Sequence, residues 1–376
     1  MAISRIVNLD LIRGIAVLGI LGMNSIAFGL PAASYANLAA AGMAAPWDWV
    51  LGILGEVFID QKFMALFSML FGAGVLVVAD RAQAKGISPV LHTLWRNAIL
   101  LLIGLAHTLI WDGDILVIYA LAAAMVLALR GLSVRVLLVT GLLVFACSPV
   151  AAAVAQSTVG PGGIGLGEYW LADGAMSDIV GLFLLSDALL RAVGAMLIGA
   201  ALFKSGYLRG VRTAAQYRRM ARWGWGIGLP LAGLGVAIQI HSDFAPGLAL
   251  ISTIPNTIGT IPVALGYIAL ISLWNQGAAS ALKVRLQAVG RMALTNYLSQ
   301  TVLGVVLLGV VFAGHTFTRA ELAAFVVGVW VLQLMWSQAW LARYRFGPVE
   351  WLWRSATYRR WQAMGADSNP ASMPHG

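Results

Sequence analysis

The sequence predicts an all-α fold, a polytopic membrane helix bundle of about ten transmembrane helices with both termini inside. Composition, apolar run lengths and the placement of charge predict it. Of the 376 residues, 60% are hydrophobic and only 10% are charged. A soluble domain carries roughly 25% charged residues. So much apolar surface in a chain of this size has to face lipid, and mean hydropathy is +0.85.

Apolar runs fall at 11–28, 63–79, 94–110, 115–129, 136–155, 179–203, 223–240, 248–274, 292–312 and 322–341. A spanning helix takes roughly 17–25 residues, so the fourth run is short. Asp10 and Arg13 interrupt the start of the first run, which continues to Phe28. That pattern reads as a retained span, because a signal-peptide h-region is only ~7–15 apolar residues. Pro255 and Pro262 in the eighth run predict a kink or a break there. Residues 1–365 read as one polytopic domain.

With the N-terminus inside and alternating spans, the inside segments collect all 24 Lys and Arg residues except Lys62, Arg191 and Arg319. Asp48, Glu56, Asp60, Asp112, Asp114, Glu168, Asp173, Asp178, Asp243 and Glu321 fall outside. Cytoplasmic loops carry the Lys/Arg excess, so an N-in, C-in arrangement follows. The net charge of +9 therefore reports membrane orientation, and a nucleic-acid partner is excluded.

Three connecting segments stand out. Residues 45–60 hold Trp47, Trp49 and acidic groups, as an interfacial helix would. The Gly-rich outer loop 156–178 is long enough to cover a cavity. Residues 366–376 read as a flexible tail. The single Cys147 excludes a disulfide framework and reads as a packed core thiol.

Ionisable residues within spans are costly, so each is a functional candidate. Arg13 and Asn24 are eleven residues apart on one face of the first span, ~16 Å along its axis. Asp10, one turn before Arg13, can pair with it. The third span repeats the geometry with Arg96 and His107. Beyond it, the turn Trp111–Asp114 brings Asp112 or Asp114 within reach of His107. An imidazole oriented by a carboxylate is a competent general base. Asp187 and Arg191 form an i,i+4 pair in the sixth span. They read either as a self-neutralising pair or as an ion or substrate contact. Lys62 stands beside Asp60 and is expected in an outer polar cluster with Asp112 and Asp114. Arg291, Thr295, Asn296 and Gln300 recur at helical spacing in the ninth span. They either line a cavity or tie helices together.

No phosphate-binding Gly-rich loop, dinucleotide fingerprint, zinc-helix motif or nucleophile elbow is present, and no metal site is expected.

Five stretches together resemble the DUF418, or YeiB-type, family of bacterial inner-membrane proteins. They are LDLIRGIAVLGILGMN at 9–24, KFMALFSMLFGAG at 62–74, GLAHTLIWDGDILVIYA at 104–120, GRMALTNYLSQ at 290–300 and FGPVEWLWR at 346–354. The resemblance implies a helical fold of about ten spans in the bacterial inner (cytoplasmic) membrane, with the family's C-terminal region at about 215–365. The opening LDLIRG also resembles that of transmembrane acyltransferases of the acyltransferase-3 and heparan-glucosaminide acetyltransferase type. Those pass an acyl group from a cytoplasmic acyl-CoA to an acceptor on the far side. The acyltransferase-3 type has Arg, ten residues, then His in the first span. Here Arg13 is followed by Asn24, which cannot act as a base, and His107 is the substitute.

The reading is an acyltransferase-like membrane protein with acyl-CoA as donor substrate and a small-molecule, lipid or glycan acceptor. Arg13 and Arg96 bind the donor phosphates. His107, with Asp112 or Asp114, deprotonates the acceptor, and Asn24 bonds the developing oxyanion. The alternative is a transporter of a small organic or lipid-like solute. On either reading Lys62, Asp187, Arg191, Asn296 and Gln300 are substrate-binding candidates. The lipid bilayer is a partner in both, and a homo-oligomer is compatible with the sequence.

Overall fold

The computed structural model describes residues 6–365, and the tail read at 366–376 lies outside them. The regular secondary structure of the described residues is helical, apart from one isolated bridge, Tyr344 with Gly365. In chain order the helices are α1 (Val7–Gly29), α2 (Pro46–Leu54), α3 (Lys62–Ala84), α4 (Pro89–Thr108) and α5 (Leu116–Leu129). Then come α6 (Val134–Gln156), α7 (Asp178–Lys204), α8 (Ala214–His241) and α9 (Ile254–Gln276). The last four are α10 (Ala281–Arg291), α11 (Ala293–Gly304), α12 (Arg319–Arg343) and α13 (Pro348–Tyr358).

Among the described residues nine helical segments are long and apolar enough to cross a membrane. The tenth apolar helix, α5, has only 14 residues, ~21 Å against a hydrocarbon core of about 30 Å. All ten predicted runs fall on these helices. Large apolar side chains such as Leu102, Leu143, Val150, Leu182 and Val310 are exposed. That outer coat suits lipid and would be untenable in water. The protein is a polytopic helical bundle.

α1 is the central element. It is buried along most of its length and packs against α3, α9, α10, α11 and α12. Small residues permit this closeness, as is usual between membrane helices. A Cβ on Gly14 would strike the Leu286 carbonyl of α10, and one on Gly290 would strike the Asp10 carbonyl of α1. Gly72 of α3 against Met196, and Gly199 of α7 against Met69, repeat the device.

α9 runs without a break from Ile254 to Gln276, so of the kink or break expected in the eighth run the break is not found. Pro255 sits in its first turn, where the backbone N–H has no helical partner to lose. Pro262 is inside the helix, and its carbonyl lies against Gly224 of α8, in the most extensive helix pair of the bundle. Cys147 is likewise not a core thiol. It is exposed on the outward side of α6, a face that apolar character alone does not separate from the packed one.

α2 is amphipathic. Trp47, Val50, Leu51 and Leu54 are exposed, while Asp48 is fully buried. Asp48 accepts hydrogen bonds from the Ala45 and Ala320 amides, each at 2.9 Å, fixing α2 to the start of α12. A π-helical segment, Gly55–Ile59, and a left-handed Gln61 (φ 59°) then turn the chain into α3.

Both ends of the described chain lie on one face, since Ile6, Asp10, Phe346 and Arg354 line the same opening. We call this the terminal face. On the opposite face the loops interlock: Asn37 bonds Trp170, Trp170 bonds Phe244, and Arg319 bonds Ser34.

Candidate functional site

A cavity of about 540 Å³ opens on the terminal face and runs inward between α1, α3, α4, α11 and α13. Along α3 it extends from Arg81 to Phe67, fourteen residues or ~21 Å. Its mouth and its interior differ in chemistry.

The mouth carries six arginines, Arg13, Arg81, Arg96, Arg291, Arg345 and Arg354. Two acidic residues share the wall, and both are engaged. Asp10 pairs with Arg13 at 3.3 Å. Glu350 accepts from the Leu294 and Thr295 amides at 2.7 and 3.1 Å and from the Thr295 hydroxyl at 2.5 Å. Burial pushes the Glu350 carboxyl above its usual range, and those donors oppose the shift. Through these bonds Glu350 also caps the start of α11 from α13. The Arg96 guanidinium lies 3.5 Å over the Trp353 ring, whose indole N–H donates to the Arg96 carbonyl at 2.9 Å. Stacking of this kind fixes the plane of the guanidinium, and its N–H fork suits a phosphate.

The interior is apolar, walled by Ile20, Phe67, Leu70, Phe71, Leu100 and Ile115. Tyr297 lines its inner end. One face of α4 spans the whole depth: its buried residues are Thr93, Asn97, Leu100, Gly104 and His107, spaced four, three, four and three apart as a single helical stripe demands.

His107 lies just behind the inner end. Its ring centroid is 5.5 Å from that of Tyr297 and 6.3 Å from that of Trp111. Nδ1 is 2.7 Å from Asp114 Oδ1. The same carboxylate accepts from the Tyr297 hydroxyl at 3.3 Å, and from the Leu116 and Val117 amides at the start of α5. An acceptor carboxylate at Nδ1 places the proton on that nitrogen and leaves Nε2 as the lone-pair nitrogen. Nε2 is buried and has no hydrogen-bond partner among the described residues. Thr93 Oγ1 and Asn97 Nδ2 are also buried without partners.

The other candidates are distributed as follows. Of the two aspartates in the 111–114 turn, Asp112 is exposed and Asp114 holds His107. Asn24 is buried in α1 but does not line the cavity. One turn beyond it, Phe28 meets Trp111 edge-on at 4.9 Å. Lys62 is fully buried and donates to the Glu56 carbonyl and to Asn256, so neither Asp112 nor Asp114 is among its bonded partners. Asp187 and Arg191 pair at 2.8 Å, and both bond Ser148 of α6. Asn296 bonds Ser337 and Trp336 of α12, and Gln300 bonds Gln333 of α12 and the Val17 carbonyl of α1. These last two are interhelical ties, and neither lines the cavity.

Sequence reasoning missed Tyr297, Thr93, Asn97 and the arginines at 81, 345 and 354. The two polar α4 residues carried a signal: they lie ten and fourteen positions before His107, on its face of the helix. Tyr297 sits between Asn296 and Gln300 in a stretch already singled out. The return of α13 to the mouth is a non-local event with no local signal.

Comparison with known proteins places the chain among relatives of matching length. The profile "Protein of unknown function (DUF418)" matches residues 202–360. "Uncharacterized protein YeiB" of Escherichia coli (strain K12) is 35% identical, covering 95% of this chain and 97% of the relative. "Uncharacterized protein YxaH" of Bacillus subtilis (strain 168) is 29% identical over 96% of each chain. No solved structure matches. The cavity and its His107–Asp114 pair thus belong to a member of the DUF418, YeiB-type family, to which this chain belongs.

Proposed function

We propose that the protein is an acyltransferase of the bacterial inner membrane. It takes an acyl group from acyl-CoA at the terminal, cytoplasmic face and delivers it to an acceptor hydroxyl or amine at the opposite face. The observation that carries this reading is His107, fixed by Asp114 through one nitrogen and unpartnered at the other, behind the inner end of an arginine-mouthed apolar cavity.

The dimensions support a thioester donor. Arg96 and His107 are separated by ~16 Å along α4. The arm of CoA from pyrophosphate to sulfur is a chain of about twelve bonds, roughly 15 Å when extended. Phosphates held at Arg96 therefore bring the thioester to the level of His107. The apolar wall beyond accommodates the acyl chain. Tyr297 lines the cavity with its ring centroid 5.5 Å from that of the imidazole, so the reacting acceptor group reaches Nε2 when that ring turns aside.

In the transfer step the acceptor oxygen or nitrogen bonds to the acyl carbon and the carbon–sulfur bond breaks. The acceptor proton passes to His107 Nε2 and from there to the departing thiolate. Asp114 stabilises the imidazolium that forms between the two events.

The test is transfer from labelled acyl-CoA to envelope extracts by purified protein in liposomes. His107→Ala should retain insertion and lose about 10²–10⁴ in rate. Equal transfer by both proteins rejects His107 as the base. Saturable uptake of a solute, with no acylated product from any of several donors, favours a transporter instead.

A further inference from the structure

Just outside the mouth the terminal face carries a second set of basic side chains, which the transfer step does not use. Lys85 stands just past the end of α3, four residues beyond Arg81. His92 stands on α4, one turn outside Arg96. Both gather on Tyr358, the last residue of α13. Lys85 Nζ is 5.5 Å from the centroid of the Tyr358 ring, the His92 ring centroid is 5.2 Å from it and Arg354 Cζ is 5.1 Å from it. Arg354 also lines the mouth, so the cluster is continuous with it. Lys85 is exposed, and His92, Arg354 and Tyr358 are half-buried.

Cations held this close repel one another unless an anion joins them. The charged neighbours acting on His92 are Arg96 and Lys85. Those acting on Arg96 include Arg354, Arg13 and one carboxylate, Glu350. Glu350 is committed to the start of α11. Asp80, five residues before Lys85, pairs with Arg130 at 3.9 Å. Among the described residues no carboxylate is paired with Lys85, His92 or Arg354. The cluster is thus a basic site without an acidic partner of its own, and it opens to the cytoplasmic side.

Resting on the acyl-CoA reading, we propose that Lys85, His92 and Arg354 form a subsite for the 3′-phosphate on the ribose of the donor. The register fits. His92 is ~6 Å outward of Arg96 along α4. In CoA about six bonds separate the ribose end of the pyrophosphate from the 3′-phosphorus, roughly 6–7 Å. A pyrophosphate at Arg96 therefore sets the 3′-phosphate at the level of His92, while the arm runs inward. A phosphate monoester carries about −1.5 to −2 charge at pH 7 and three acceptor oxygens. That suits an ammonium, an imidazole and a guanidinium converging from α3, α4 and α13. The subsite distinguishes a CoA thioester from one carried on phosphopantetheine alone, which has no 3′-phosphate.

The experiment measures binding of labelled octanoyl-CoA and octanoyl-3′-dephospho-CoA to full-length protein in phosphatidylcholine nanodiscs, where no anionic lipid competes. Wild type is compared with Lys85→Gln and His92→Gln, which leave every arginine of the mouth in place. Wild type should bind octanoyl-CoA about three- to tenfold more tightly than the dephospho probe, the worth of a few partly exposed charge pairs. Lys85→Gln should remove most of that preference and His92→Gln part of it, by weakening octanoyl-CoA and leaving the dephospho probe unchanged. Equal affinity of wild type for the two probes overturns the subsite and leaves the donor reading standing. Equal weakening of both probes by the variants also overturns it, since that is loss of general attraction. A preference kept in full by both variants, with co-purifying anionic phospholipid lost from them, overturns it in favour of a lipid headgroup. Failure of wild type to bind either probe overturns the donor reading and the subsite with it.

Discussion

At the scale of single residues, the proposed transfer turns on how Asp114 divides its two oxygens. One faces His107 and Tyr297, while the other accepts the first amides of α5. Orientation of the imidazole and capping of a helix are thus separable by mutation. Asp114→Asn keeps an oxygen for the helix amides, where Asn is a good cap. Its amide N–H₂ then faces Nδ1 and favours the wrong imidazole tautomer. We expect Asp114→Asn to fold with near-wild-type thermal stability and to lose at least about 10² in transfer rate. Asp114→Ala should lose activity and also about 1 kcal/mol of stability through the cap. Melting curves in detergent, run beside the transfer assay, separate the two effects. Full activity of Asp114→Asn would remove Asp114 from the mechanism. The pairing of His107 with this turn was legible in the sequence, because both lie at the end of one apolar run. Which of the two aspartates holds His107 was not. A Cβ on Gly113 would strike the Trp111 ring, and only the placement of α5 turns Asp114 inward and leaves Asp112 in solvent.

At the scale of helices, glycines decide how closely the bundle closes. Backbone stands directly opposite Gly14 and Gly290 where α1 and α10 meet, and at Gly74 there is open space. Substitutions at these positions should therefore behave oppositely. Gly290→Leu forces α10 off the Asp10 carbonyl, and overpacking of this kind costs about 1–3 kcal/mol or more. It should lower the melting temperature. Gly74→Trp should leave melting unchanged and, by filling the cavity, abolish octanoyl-CoA binding. A destabilised Gly74→Trp with binding intact would mean that the cavity is not the donor path. The apolar runs located α1, α3 and the other spans, since their length and hydropathy are local properties, while the short α10 fell between the eighth and ninth runs. Of the kink or break expected from Pro255 and Pro262, the break did not appear. A proline in the first turn breaks no hydrogen bond, and α8 supports the helix around the second. Asn296 and Gln300 show the limit of a helical stripe as evidence. Their spacing fits a cavity wall and an interhelical seam equally, and partners on α12 decide for the seam.

At the scale of the molecule, the parts sort by face. The arginine-lined mouth shares the terminal face with both chain ends, and the His107–Asp114 pair stands at the other end of α4. Charge sorting along the sequence expected a basic inside and an acidic outside. It had no means of showing that α13, distant in sequence, would complete the mouth with Trp353 and Arg354, or that the cavity would end at Tyr297. The account as a whole joins a phosphate-binding mouth to a base ~16 Å deeper through one ligand. The measurement that tests this most directly is a cryo-EM structure in nanodiscs with a non-transferable acyl-CoA thioether. The account predicts phosphate density against Arg96 and its neighbouring arginines, and the sulfur at the level of His107 with Tyr297 turned aside. Density for the thioether outside the cavity, or phosphates away from these arginines at saturating ligand, would contradict it.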